Sequence, residues 1–267
     1  MATREYERAC EIWDTIEMGD IMSDGLNLTT TIEGMYNQRE AIGPLKKYVK
    51  NKGADISPFL SFIDRLIDED KVRASDVDYG LVTVQFSSLK AMELSKEEIP
   101  HGMLKDFIMA SSSIFPVFPM HKIGNDLYLD GCYYDNLPID LALKMGADEV
   151  IAVDLHTTPQ HPGYVNKPYV KYITPSKFLG TMLNFDREVL DFSRRLGYYD
   201  TLKAFGRMDG YEYCFYQEDL DQYQEEICAF VSRVARTESY LTEGTFSKFV
   251  KPGDSWNWKS TRRRRFQ

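Results

Sequence analysis

The run Leu127-Tyr128-Leu129-Asp130-Gly131 holds the residues of this chain best suited to chemistry. Gly124-Asn125 is a hairpin turn signal, so the residues after it read as a returning strand and Asp130 stands at its tip. A carboxylate there is held rigidly on a sheet edge, where α/β folds bind ligands. Gly131 lets the backbone turn sharply and leaves space beside the acid. The pair suits a proton acceptor, because a serine hydroxyl needs a positioned base before it attacks. Read alone, the same two residues are also an ordinary turn after a hairpin.

Other chemical side chains have blander explanations. Ser111, Ser112 and Ser113 lie at a helix end beside Pro116, where local backbone capping is the preferred reading. Asp154 ends an apolar strand and reads as an exposed residue or a helix cap rather than a second acid. Tyr133, Tyr134, Tyr198 and Tyr199 could line an acyl pocket, but core packing is the safer expectation for most of them. His101, His121, His156 and His161 form no metal-ligand spacing, and Cys10, Cys132, Cys214 and Cys228 are not paired at metal or redox spacing. Neither metal nor cofactor is expected.

The elements that must position Asp130 are legible from periodicity. Residues 6–16, 39–51, with Pro44 near a start, and 58–68 read as helices of a lobe. Tyr79–Phe86 is β-branched and aromatic and reads as a strand, with Lys90–Leu94 as its partner. Met103–Ala110 is helical, and Val117–Ile123 with Asp126–Leu129 forms the hairpin. Asn136 can cap a helix that takes Pro138 in its first turn and ends at Gly146. Glu149–Leu155 has a continuous apolar middle, as a parallel strand buried on both faces would. Asp130–Leu155 therefore reads as strand, helix, strand. Tyr169–Ile173 and Tyr211–Tyr216 are further strands, Phe185–Phe205 is a helix interrupted at Gly197, and Leu220–Leu241 is amphipathic.

With 267 residues and 43% hydrophobic content, the chain can bury one large core or two small ones. The net charge of −9 argues against nucleic-acid binding. Arg262–Arg265 reads as a frayed, solvated tail, or else as an anchor for anionic surfaces. The start is polar, and no apolar run approaches the ~18 residues of a membrane span. Free thiols in a cytoplasmic protein, with peripheral membrane contact, are expected.

An ordered set of segments resembles the patatin-like phospholipases. It comprises Ala110-Ser111-Ser112-Ser113-Ile114-Phe115-Pro116, Leu127-Tyr128-Leu129-Asp130-Gly131, Asp135-Asn136-Leu137-Pro138 and Gly146-Ala147-Asp148-Glu149-Val150-Ile151-Ala152-Val153-Asp154, then Leu196-Gly197-Tyr198-Tyr199-Asp200-Thr201-Leu202-Lys203. The resemblance implies a three-layer α/β/α sandwich with helical lobes, in one domain: a lobe over about 1–75, a core over about 79–175, a helical part over about 185–241 and a tail over 242–267. It implies a lipid acyl hydrolase working through a serine–aspartate dyad. On that resemblance Asp130 is the dyad base and Gly131 belongs to its motif, with Cys132 replacing the usual glycine or alanine.

The nucleophile motif of that family, Gly-x-Ser-x-Gly on a strand-to-helix elbow, is not found. Gly206 and Gly210 are the one glycine pair spaced four apart, and Met208 stands midway. No Gly-Gly or Gly-x-Gly is present to form an oxyanion loop. In the family the helix after the serine runs into a sequence resembling Glu5-Tyr6-Glu7-Arg8-Ala9. The expectation is an N-terminally truncated fold that carries the aspartate half of a site, is inactive alone, and leaves Glu149–Leu155 with an open edge and an uncovered flank. Its partners would be a lipid or acyl ester and a complementing N-terminal segment or an oligomer. The alternative is a non-catalytic remnant that binds lipid or protein.

Overall fold

The β-branched stretch that opens at Gly80 forms the spine of the molecule. The computed structural model describes residues 3–23, 48–180, 184–210, 215–216 and 220–243. The chain divides into two compact units, Met1–Phe205 and Gly206–Gln267. The first contains helices α1 (Tyr6–Thr15), α2 (Ser57–Leu66), α3 (Glu69–Ala74), α4 (Leu104–Ser111), α5 (Ile139–Lys144) and α6 (Arg187–Ala204). Its strands are β1 (Gly80–Gln85), β2 (Lys90–Ser95), β3 (His121–Ile123), β4 (Asp126–Asp130), β5 (Val150–Val153) and β6 (Val170–Ile173). The second unit contains β7 (Met208–Asp209), β8 (Phe215–Tyr216) and α7 (Leu220–Glu243).

Four strands form an antiparallel sheet in the order β2-β1-β4-β3. β1 is central, and Leu81, Val82, Thr83 and Val84 are all buried. Each fully buried aliphatic side chain of this kind contributes about 1.5–3 kcal/mol. α4 lays Leu104, Phe107 and Ala110 against Leu81, Ile123 and Tyr128, with the Phe107 and Tyr128 rings edge to face at 5.9 Å. Met109, on the same helix, packs instead with Ile16, Ile21, Met22 and Ile56 of the helical lobe and with Phe118 of the segment before β3. Asp68 starts α3 by accepting the Lys71 amide, and Asp186 starts α6 by accepting the amides of Glu188 and Val189.

The chain is mixed α/β, as expected, but several sequence expectations need correction. β4, α5 and β5 keep the expected order of strand, helix, strand, and among the described residues β5 pairs in parallel with β6 in a separate two-stranded sheet. β5 is not buried on both faces. Ala152 packs with Ile139 of α5 and Val170 of β6, whereas Ile151, Val153 and Leu155 are 61%, 56% and 63% exposed. The helix after Asp130 begins at Ile139 rather than after Asn136, because Asp135 rather than Asn136 accepts the Leu137 amide and forms a side-chain turn ahead of Pro138. α6 runs through Gly197 without a break; the cost of about 1 kcal/mol for a helical glycine is tolerated in a long helix. Gly146, with φ of +96°, ends α5 as expected.

Strand β3 is shorter than the expected Val117–Ile123, since Phe118 bonds back to the Ile114 carbonyl in a helical turn. Residues 39–47, 211–214 and 244–267 lie outside the described residues, so most of the expected 39–51 helix, the start of the 211–216 strand, Cys214 and the Arg262–Arg265 run do too.

Candidate active site

Asp130 is the last residue of β4 and sits opposite Thr83 of β1. The buried Thr83 hydroxyl donates to the Leu129 carbonyl at 2.7 Å. On the other edge, the Asp130 amide donates to the Ser113 carbonyl at 3.0 Å. The buried Ser113 hydroxyl donates in turn to the Met109 carbonyl at 2.8 Å. The strand tip is thus held from both sides by groups that have no freedom of their own. Ser112 also bonds backward, to the Ile108 carbonyl at 3.0 Å. The hydroxyls of Ser112 and Ser113 cap their helix, and it is the Ser113 backbone that serves the acid.

Gly131 is required by contact, not by φ. A Cβ placed on it would lie 2.3 Å from the Val82 carbonyl oxygen and 2.8 Å from the Val82 carbonyl carbon. The chain passes too close to β1 for any side chain. From there it makes a short 3-10 turn over Gly131–Tyr133, in which Asp130 Oδ1 accepts the Cys132 amide at 2.8 Å.

Burial raises the Asp130 carboxyl above the ordinary aspartate range, and the Cys132 amide only partly opposes it; among the described residues no Lys, Arg or His is one of the groups acting on it. A desolvated carboxylate without a cation is a stronger base than one in water. Burial, and then the charge of Asp130, pushes the Cys132 thiol up to about 12. Cys132 therefore stays protonated at neutral pH and offers no thiolate nucleophile.

Asp154 is a correction. It is buried, not an exposed residue or a cap. Its carboxylate accepts from the Gln160 amide at 2.8 Å, Gln160 Nε2 at 2.9 Å, the His156 amide at 3.0 Å, His156 Nδ1 at 3.0 Å and the Tyr172 hydroxyl at 2.7 Å. Burial works to raise its pKa, but these donors outweigh it and hold the carboxyl well below the usual range. With every lone pair engaged, Asp154 knots the loop after β5 and is no proton acceptor.

The four tyrosines depart from the core-packing expectation. Tyr133, Tyr134, Tyr198 and Tyr199 are all exposed, and the Tyr198 and Tyr199 rings meet edge to face at 5.6 Å. The Tyr133 hydroxyl donates to the Phe115 carbonyl, tying the turn after Asp130 to the segment before β3. Each histidine meets an aspartate: His121 with Asp106 at 3.0 Å, His156 with Asp154, His161 with Asp135 at 2.9 Å and His101 with Asp70 at 3.6 Å. Among the described residues no three His, Cys, Asp or Glu side chains converge as a metal site requires, and no helix is long and apolar enough to cross a membrane. An apolar pocket of about 270 Å³, walled by Leu66, Ile67, Val72, Tyr79, Leu104 and Ile108, lies elsewhere and includes neither Asp130 nor Gly131.

The Patatin-like phospholipase family model matches residues 4–143, just over half of the chain. The chain belongs to the patatin-like phospholipase family. The matched span contains β1 to β4, the Asp130-Gly131 turn and nearly all of α5, and it ends before β5. No curated protein matches the chain. The Asp135–His161 contact was missed in the sequence. Asp135 opens the Asp135-Asn136-Leu137-Pro138 segment, but nothing in the spacing announces its partner 26 residues on.

Proposed function

We propose that this patatin-like chain supplies the proton acceptor, Asp130, of a lipid acyl hydrolase whose serine nucleophile is carried outside these 267 residues. The observation that carries the reading is the geometry of the strand tip. A carboxylate whose pKa is raised by burial, with no cation acting on it among the described residues, is locked at the end of β4, on a turn that admits no side chain at Gly131. A serine hydroxyl brought to that carboxylate would give its proton to Asp130 as it attacks an ester carbonyl, and the acid would pass that proton to the alcohol that departs when the ester bond breaks, leaving the acyl-enzyme. Water would then release the acid from the acyl-enzyme by the same base.

The open side of β5 supports a place for such a segment. The amides of Val150 and Asp154 donate to Tyr169 and Ile173 on the β6 side. By the alternation of a parallel ladder, the amides of Ile151 and Val153 face the other edge. That edge and the uncovered Ile151–Val153–Leu155 face suit an added strand with an apolar cover. Peripheral contact with the membrane that holds the substrate belongs to the same proposal.

A short-chain p-nitrophenyl ester tests it. The 267-residue chain alone is expected to show no hydrolysis above buffer. Fusion to, or mixing with, a family segment carrying Gly-x-Ser-x-Gly is expected to produce turnover that Asp130→Asn lowers by at least ~10²-fold. Turnover by the chain alone, lost in Asp130→Asn, would place the nucleophile within it. Silence in every arm would favour a binding remnant.

A further inference from the structure

We propose that His161 is a positioning residue for Asp130, holding the turn that carries the acid through its hydrogen bond to Asp135. The proposal rests on Asp130 being the proton acceptor, but its test does not require turnover. The turn closes on one backbone oxygen: the Gly131 carbonyl accepts the amides of both Tyr134 and Asp135 at 2.9 Å. The Cys132 amide inside it points at Asp130 Oδ1. The orientation of the acid's own hydrogen-bond donor therefore depends on how firmly residues 131–135 are held.

The far end of the turn is fixed at Asp135. Its side chain is only 13% exposed, and its Oδ1 accepts the Leu137 amide and His161 Nε2, each at 2.9 Å. A carboxylate cannot donate, so His161 Nε2 carries the hydrogen. His161 is itself anchored. Its backbone amide donates to the Tyr172 hydroxyl oxygen at 3.2 Å, and that hydroxyl donates to Asp154 Oδ2 at 2.7 Å. Asp154 gathers Gln160 and His156 as described above. A knot at the ends of β5 and β6 thus reaches Asp135, at the end of the turn after β4, by hydrogen bonds that pass through the His161 imidazole. Among the described residues the two sheets share no ladder; the Ile139–Ala152–Val170 cluster and the Tyr164–Asp140 hydrogen bond join α5 to β5 and β6, and the His161 bridge adds a link at the turn itself. The second tether of the turn, from Tyr133 to the Phe115 carbonyl, lies on an exposed side chain and is the weaker of the two.

The experiment compares the 267-residue parent with His161→Ala and His161→Gln, whose amide can still donate to Asp135. Two readouts are used: amide hydrogen exchange over 131–136, and NMR titration of the Asp130 carboxyl. His161→Ala is expected to speed exchange at the Tyr134 and Asp135 amides about tenfold. It is also expected to move the Asp130 titration further above that of an ordinary aspartate, because the Cys132 amide that opposes burial is then held less firmly. His161→Gln is expected to stay near the parent, and exchange in β1 to remain unchanged throughout. Should His161→Ala fail to fold, His161→Phe keeps a ring without the donor and is read in the same way. An unchanged Asp130 titration with unchanged exchange over 131–136 in a folded variant overturns the proposal. So does a uniform rise over the turn and β1 together, which would make His161 merely structural. Failure of ester hydrolysis in every arm bears on the function proposed above and leaves these two readouts standing.

Discussion

At the scale of single residues, Asp130 and Gly131 are tied together by steric contact as much as by chemistry. Gly131→Ala would drive a methyl group into the Val82 carbonyl. Backbone has to move to relieve that contact, so urea denaturation is expected to show a loss of about 1–3 kcal/mol. Asp130→Asn should act in the opposite direction at neutral pH. The folded-state pKa of Asp130 is raised by burial, so the unfolded chain releases this proton first as pH rises. Stability therefore falls as pH climbs from the ordinary aspartate value of ~3.9 through the raised folded value, and the penalty persists above it. Asp130→Asn is expected to be more stable than the parent at pH 7, with the difference vanishing below about pH 4. Denaturation curves that coincide at pH 7 would show that the acid is solvated. The sequence identified Asp130 and Gly131 as a pair, because a glycine after a strand-tip acid is a local signal. It misjudged Asp154, whose five donors come from the loop after β5 and from the neighbouring strand.

At the scale of elements, the β5–β6 pair depends on that buried carboxylate. The folded-state pKa of Asp154 is depressed. Its contribution is present above the unfolded pKa and is lost as pH falls below about 4. Asp154→Asn is expected to cost about 2–3 kcal/mol at pH 7, from weakened charge-assisted hydrogen bonds and a mismatched amide. In paired denaturation curves the gap to the parent should narrow steadily toward pH 3; a gap independent of pH would mean that charge is not what the loop uses. Element positions were largely legible: β1, β2, β4, β6, α2 and α4 lie within a few residues of where periodicity puts them. Pairing was not. The apolar run Val150–Val153 announces a parallel strand, but which strand it pairs with and which face stays open depend on what else is packed beside it.

At the scale of the whole molecule, an uncovered apolar face meets a chain of net charge −9 and a sequence pI near 5.1. Charge repulsion keeps such molecules apart at neutral pH and fades near the pI. Light scattering is therefore expected to rise with protein concentration near pH 5. Ile151→Lys with Val153→Lys should suppress that rise at a stability cost within about 0.5 kcal/mol, since both side chains are already exposed; scattering that is the same in parent and variant would mean the β5 face is not what adheres. The sequence by itself determined the mixed α/β character, the acid at the strand tip and the absence of a Gly-x-Ser-x-Gly among these residues, because each is a matter of local residue type and spacing. Only the tertiary structure decided that Asp130 is desolvated, that Gly131 lies against Val82, that Asp154 is buried and that His161 reaches Asp135. Desolvation, close approach and long-range hydrogen bonds are made by residues far apart along the chain, and periodicity carries no record of which of them meet.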